Sequence, residues 1–518
     1  MNYFTTKQTH LQTEFYEDFK ETDDVIIFLH LLNQINASKY LKRTSIIGRK
    51  PYDLINMLAA TLYGFTKGKG TLRDLEDLCK NDRRFIYIMN GVSPSHTTFG
   101  TFINNYLTKS IDQIMVEINK NIMIETNKIC DTLFIDGTKF EANCNKYKFV
   151  WKPTTFHEHL NIKIQNVLSE INLFSDNNFP IKQYYSSSEL NIILQSYKEE
   201  LIAKNVDFEV KRGRGYKISS ELRLYFLLQE FLGKTLEYET KESICGDHRK
   251  SYGKSDHDAT FMELKTDYYS HTGQMRAAYN MQIGVFDGFI MQCGIFQNRT
   301  DYGTFQPFLE KYKQNYNYFP KYIVADAGYG SQDNYAYLES INKPLYTKYT
   351  MYEKDHNGKG TQNLFQMKDE NYVCLNGNIG TYLSSNLSGT KMYKFEGCAF
   401  CPFSKRCRRG YRGRDSNVRN ASYNKVFFEQ KRKVIQNLET PKGIELRVNR
   451  SIQVEGAFGV IKQDMEYNRC RRRGINNVSL EFNLVCIGYN IKKYIKYKQN
   501  KIHYPIWTLK EYSLHPTM

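Results

Sequence analysis

Two short apolar runs, TLFID (132–136) and KYIVAD (321–326), each finish on an aspartate before a glycine-containing stretch. Runs of this length bounded by turn signals read as buried strands that lead into turns. Between them, YNMQIGVF and FIMQCGIF flank Asp287-Gly288. Two β-rich runs around an Asp-Gly pair predict a tight hairpin. A helix is expected from Thr304 to about Tyr316, and PLYT (344–347) reads as one more strand. Further on, RSIQVEGAFGVIKQDM (450–465) carries apolar residues at 454, 457, 458, 461 and 465, the spacing of a helix.

Strand with Asp, hairpin, helix, strand with Asp, insertion, helix with Glu is the element order of a ribonuclease-H-like nuclease core. The expected fold class is therefore α/β, with a ribonuclease-H-like catalytic core split by insertions. Residues 1–130 read as helical: ETDDVIIFLHLLNQI and PYDLINMLAATLYGF have helical spacing, and TLRDLEDLCK follows Thr71, a natural N-cap. Short helices with tight turns suit a helix-turn-helix type of DNA-binding domain, although a plain helical bundle has the same pattern. The segments are then 131–152, the first part of the core; 153–275, a mostly helical insertion after the first strand; and 276–350, the second part of the core. A basic, Cys-containing insertion (351–445) follows, then the last catalytic helix with a basic C-terminal region (446–518).

Lys and Arg number 72 against 55 Asp and Glu, a formal net charge of +17. Such an excess favours a polyanionic partner, because each phosphate contact releases condensed counterions. The charge is clustered with tyrosine in KRCRRGYRGR (405–414), RCRRR (469–473) and KKYIKYKQNK (492–501), and rings beside cations suit unpaired bases. No stretch approaches the apolar length of a membrane span, and the first residues lack the pattern of a secretory signal. A cytoplasmic, nucleoid-associated protein is expected, and the usage of Lys, Asn, Ile and Tyr hints at an AT-rich bacterial genome.

Eleven cysteines without a secretory context argue against a disulfide framework. Seven are scattered and read as small core residues. Cys374, Cys398, Cys401 and Cys407 form C-x23-C-x2-C-x5-C, a candidate closed site for one structural Zn²⁺.

Phosphoryl transfer needs an activated oxygen nucleophile and stabilised charge on the attacking and leaving oxygens, which two divalent cations supply together. Mg²⁺ takes hard oxygen ligands and keeps several waters, so a few carboxylates suffice. Asp136 and Asp326 on strand ends, with Glu455 on a late helix, are the candidates. Singly, each also reads as a turn former or a solvated helix residue.

The blocks FIDGTKFEANCNKYKFVWK (134–152), SDHDATFMELK (255–265), FQNRTDYGTFQPFLEK (296–311), VADAGYGSQDNY (324–335) and RSIQVEGAFGVIK (450–462) resemble those of DDE insertion-sequence transposases. The branch they look most like is the insertion-sequence eleven-eighty-two family, and residues 47–91 resemble its N-terminal domain. The resemblance spans roughly residues 45–495. It implies a transposase that binds the terminal inverted repeats of its element, then cleaves and transfers strands by two-metal-ion chemistry. Asp136, Asp326 and Glu455 would hold two Mg²⁺ or Mn²⁺. Partners would be double-stranded DNA, as element ends and target, with a homodimer or larger assembly around two ends. Relatives carry a Tyr–Arg–Glu–Lys signature around the last acid. Lys462, seven residues after Glu455, matches the Lys and joins the catalytic candidates. Position 451 is Ser, and Arg450, one residue off, points to another face of an unbroken helix.

Candidate DNA contacts are Lys139, Trp151, Arg450, Arg471, Arg472 and Arg473. Lys139, Glu141 and Asn143 alternate after Asp136 and would share one strand face. Trp151 suits either stacking on a flipped base or a core or interface role. Asp301 in NRTD reads as an N-cap, and His257 as surface hydrogen bonding. Two other functions fit parts of the sequence: a transposase-derived DNA-binding protein without catalysis, and a stand-alone nuclease, which has no need of the helical N-terminal region.

Overall fold

The computed structural model describes residues 19–41, 52–208, 218–265, 273–360, 364–408, 411 and 417–503. Part of the basic run 405–414, Pro51 and the first residues lie outside them. The fold is mixed α/β and divides into two compact units. One takes the described residues of Met1–Phe140, Asn280–Phe296 and Thr300–Met518; the other takes Glu141–Tyr279 and Gln297–Arg299. Among the described residues, no helix is long and apolar enough to cross a membrane.

The strands are β1 (Thr132–Glu141), β2 (Phe149–Trp151), β3 (Ser251–Gly253), β4 (Thr260–Glu263), β5 (Met275–Phe286), β6 (Phe289–Phe296) and β7 (Tyr322–Ala325). In the first unit the sheet runs β6, β5, β1, β7. β1 and β7 are parallel, with Ile135 opposite Ala325, so Asp136 and Asp326 are the next pair along adjacent strands. β5 and β6 are antiparallel around Asp287 (φ 49°) and Gly288 (φ 74°), the two positive angles that a two-residue hairpin turn demands. β6 leaves backbone groups to be satisfied at its edge, and buried asparagines do so. Asn490 accepts from Ile290 N at 2.8 Å and donates to Ile290 O at 2.7 Å; Asn119 donates to the carbonyls of Ile290 and Met291.

Two expectations for this unit are corrected. β1 does not end at Asp136 but continues through Gly137 to Glu141. A Cβ at 137 would stand 2.0 Å from the Gln282 amide, so glycine serves close packing here rather than a turn. PLYT (344–347) forms no strand. Its carbonyls are taken by side chains instead: Asn437 Nδ2 donates to Leu345 O and the Tyr335 hydroxyl to Thr347 O.

The N-terminal helices of this unit are Asp24–Asn33, Leu54–Thr66, Leu72–Asn81, Arg83–Ile88, His96–Phe102 and Ile111–Thr126. Several starts are specified locally. Asp53 accepts from the Ile55 and Asn56 amides, Thr71 and Asp74 form a reciprocal capping box, and Ser95 accepts from Thr98 N. The long helix Ile475–His503 packs against Leu54–Thr66 and β6. Gly488 allows that approach, since a Cβ there would lie 2.6 Å from the backbone of Phe65.

Residues 364–423 of the same unit form a small β-module: Phe365–Lys368 pairs with Asn371–Cys374, and Thr381–Ser385, Lys391–Phe395 and Arg419–Tyr423 form a three-stranded sheet. Phe365, Tyr372, Tyr393 and Phe395 make its core. Helix Lys425–Glu439 follows, then Pro441–Arg450, which runs directly into the segment bearing Glu455.

The second unit pairs β2 with β3, and β4 with the opening residues of β5. Its helices Thr154–Phe174, Ser187–Ala203 and Ser220–Cys245 share one core that includes Ile164, Leu168, Leu190, Tyr197 and Leu228.

Candidate active site

Asp136 sits in the middle of β1 with its side chain 21% exposed, and Asp326 follows the last residue of β7 with 52% exposed. The Arg450 guanidinium lies between them, 3.1 Å from Asp136 Oδ2 and 3.9 Å from Asp326 Oδ1. Asp136 Oδ1 also accepts from Gly137 N at 2.8 Å. Burial pushes the Asp136 carboxyl up to about 6, against the pull of Arg450 and of the Gly137 amide, with the charges of Asp326 and Asp301 adding to the rise.

An unbroken helix would turn Arg450 away from this site, and that expectation is corrected by the shape of the helix itself. Ser451–Glu455 and Val460–Asp464 are π-helical turns on either side of the short α-helical stretch Gly456–Gly459. A turn closed by i→i+5 bonds takes in one residue more than an α-turn, so Arg450 and Glu455 stand as an i, i+4 pair stands in an α-helix. Wide turns of this kind recur at functional sites.

Glu455 itself is exposed and is not gathered with the two aspartates. Among the described residues no three acids, histidines or cysteines are disposed to hold a metal ion between them. Lys462 comes back to the strand: its Nζ donates to Thr138 Oγ1 at 2.8 Å and lies 5.0 Å from the Phe140 ring centre. Thr138 and Phe140 are two and four residues past Asp136, hence on its face of β1.

Three neighbours of the acids, Asp301, Gln282 and Tyr329, are not evident from the sequence as parts of a site. Asp301 precedes the turn Tyr302–Thr304, but its side chain makes no cap bond there. Its Oδ1 accepts instead from Asn280 Nδ2 at 2.8 Å and Gln282 Nε2 at 3.0 Å. Gln282 in turn accepts from the buried Tyr329 hydroxyl. The signal that could have found them is two amides at alternate positions of the otherwise apolar run NMQIGVF (280–286), since buried amides require partners.

The other candidates are dispersed. Lys139 is half-buried, Glu141 is buried in the second unit, and Asn143 lies past the strand end, so the three do not line one exposed face. Trp151, also in the second unit, is 47% exposed, edge-on to Phe149 and Phe261, with the Arg299 guanidinium 5.9 Å from its ring centre. That rules out full burial in a core. The run 469–473 is tethered: buried Glu481 accepts from the backbone amides of Arg471 and Arg472, and the Arg472 side chain donates to Asn104. Arg471 stands over the Tyr467 ring, and Arg473 is exposed. His257 holds Arg249 through its carbonyl.

The seven scattered cysteines are buried, whereas Cys374, Cys398, Cys401 and Cys407 are partly exposed. These four line one cavity of about 30 Å³ in the β-module. Burial, then the neighbouring thiols, raises the Cys398 thiol above its ordinary value.

Residues 374–495 match the family model of the transposase DDE domain, and residues 14–105 match that of a transposase domain, DUF772. The matches support a DNA-cleaving DDE transposase. The first spans the four cysteines, Arg450, Glu455 and Lys462; Asp136 and Asp326 lie outside both. No curated protein and no solved structure matches the chain.

Proposed function

We propose that the chain is the transposase of an insertion sequence, with a ribonuclease-H-like core whose acids are Asp136, Asp326 and Glu455. The observation that carries this reading is the Asp136–Arg450–Asp326 bridge, built from two parallel strands and a helix inside a segment that matches the DDE domain. The sheet order β6-β5-β1-β7, antiparallel on one side and parallel on the other, supports the fold assignment.

The donor set fits hard divalent cations. Two carboxylates on adjacent strands already have a cationic group between them, and their oxygens are the ligands that Mg²⁺ or Mn²⁺ prefers. Such ions, when bound, activate the attacking oxygen and offset charge on the leaving one. Asp136 and Asp326 would hold them, and Glu455 would complete the set from the wide helical turn. Arg450 offsets part of the acid pair's charge beforehand and would then turn to a DNA phosphate. Lys462, tied to Thr138, sits where it steadies the backbone of the cleaved strand. Lys462→Ala is expected to lower strand cleavage on the order of tenfold or more, because it removes a charge-assisted hydrogen bond to phosphate. Cleavage kinetics with labelled ends check this; an unchanged rate would remove Lys462 from the site.

DNA ends would be recognised by the N-terminal helices, with Lys139, Trp151 and Arg471–Arg473 as further contacts and two chains assembling on two ends. The test is incubation of the protein with labelled element ends in Mg²⁺. Binding without cleavage would favour the non-catalytic DNA-binding reading instead.

The four thiols of the β-module line one cavity without being disposed around a common ion, and a structural Zn²⁺ there would require them to close on it. Soft thiolates are zinc ligands, and four of them complete a closed structural site. Elemental analysis of the purified chain is expected to find one zinc per chain, absent from Cys398→Ser, which should also melt at lower temperature. Zinc-free protein of full stability would sink the assignment.

A further inference from the structure

We infer that Asp301 is a positioning residue for the divalent-cation site, adding a fixed negative charge beside Asp136 and Asp326; this rests on the reading of that site given above. The residue sits where an N-cap is expected, yet the cap of Tyr302–Thr304 is made by its backbone: the Thr304 amide and hydroxyl both donate to Asp301 O, at 3.0 and 2.7 Å. The side chain is thereby released for another task.

That side chain is held by neutral groups. Asn280 and Gln282, 1% and 0% exposed, both donate to Oδ1, and Gln282 Nε2 also donates to Asn280 Oδ1 at 2.8 Å. A carboxylate braced by amides keeps its charge uncancelled, unlike one paired with Lys or Arg.

The other oxygen faces the second acid's turn. A Cβ built on Gly328, two residues after Asp326, would lie 3.3 Å from Asp301 Oδ2. Gln282 itself presses on Gly137, next to Asp136, so one amide links the braced carboxylate to both acid-bearing segments.

Formal charges point the same way: among the described residues Asp136, Asp326 and Asp301 are three carboxylates, with Arg450 between the first two and Lys462 held at Thr138 farther along β1, so negative charge exceeds positive. The surplus suits a divalent cation, and Asp301 contributes to it without having to be a ligand. Partners behind a metal's own ligands commonly carry a large share of its affinity.

The discriminating variant is Asp301→Asn. Its amide oxygen still accepts from Asn280 and Gln282, so the network and the fold persist while the charge is gone. In the full-length protein, Mn²⁺ binding followed by the electron paramagnetic resonance of free Mn²⁺ is expected to weaken roughly tenfold. The thermal midpoint should stay at the wild-type value. In strand cleavage, the Mn²⁺ concentration for half-maximal rate should rise, with the rate at saturating Mn²⁺ largely restored. If D301N binds Mn²⁺ as tightly as wild type while Asp136→Ala binds none, Asp301 is only a structural acceptor and the inference fails alone. If Asp136→Ala also binds like wild type, or wild type binds no Mn²⁺, the cation site itself is wrong.

Discussion

Alanine at Asp136 or Asp326 is expected to lower strand cleavage at least about a thousandfold while leaving binding to element ends within a few fold. The asymmetry follows from where the acids sit. They occupy the ends of the bridge Asp136–Arg450–Asp326, which keeps a net negative charge, and contribute to DNA affinity only by repelling it. Removing one should not weaken end binding. Cleavage is different, because cations held by these acids stabilise charge that appears only in the transition state. Several kcal/mol is the usual scale of that effect, and each step of about 1.36 kcal/mol is tenfold in rate. Glu455→Ala is expected to behave likewise, although Glu455 is exposed and separate from the pair. Gel-shift and single-turnover cleavage on the same labelled ends measure both quantities. Cleavage within tenfold of wild type in Asp136→Ala would sink the acid site. The same result in Glu455→Ala alone would leave a two-aspartate site, with the third acid to be sought elsewhere.

The parts of this molecule that local sequence specifies were the legible ones. The hairpin at Asp287-Gly288, the cap at Thr71 and the strand before Asp326 each depend on a few consecutive residues. What the sequence hid depends on residues far apart in the chain. Gly137 reads as a turn glycine until Gln282 is seen above it. Asp301 reads as a helix cap until Asn280 and Gln282 are seen to hold it. Arg450 is assigned to another helix face because periodicity assumes α-helical turns, and a π-turn inserts one residue without leaving a mark in composition. The approximate position of Glu455 was legible from its helical run; its separation from the aspartates was not, since that depends on the rotation of a helix with two wide turns.

Asp136 should also make the metal-free protein less stable as pH rises through the acid range. Its carboxyl is pushed from the ordinary 3.8 to about 6 in the folded chain, chiefly by burial. Between those values the folded state holds a proton that the unfolded state has released, so stability falls with increasing pH. The contribution is largest below 3.8 and is lost once pH passes about 6. At roughly 1.4 kcal/mol for each pH unit of separation, the loss is on the order of 2 to 3 kcal/mol. Other groups titrate in the same range, so the quantity to measure is a difference. Urea unfolding of wild type and Asp136→Asn in metal-free buffer, at about pH 4.5 and about pH 7.5, should show wild type losing that much more than the variant. A difference between the two proteins that is the same at both pH values would refute it. Mg²⁺ in millimolar excess should reduce the pH dependence of wild type alone, because a cation beside Asp136 favours its ionised form. Burial of this acid therefore opposes stability in the free protein and readies the site for positive charge, a cost that a bound cation relieves.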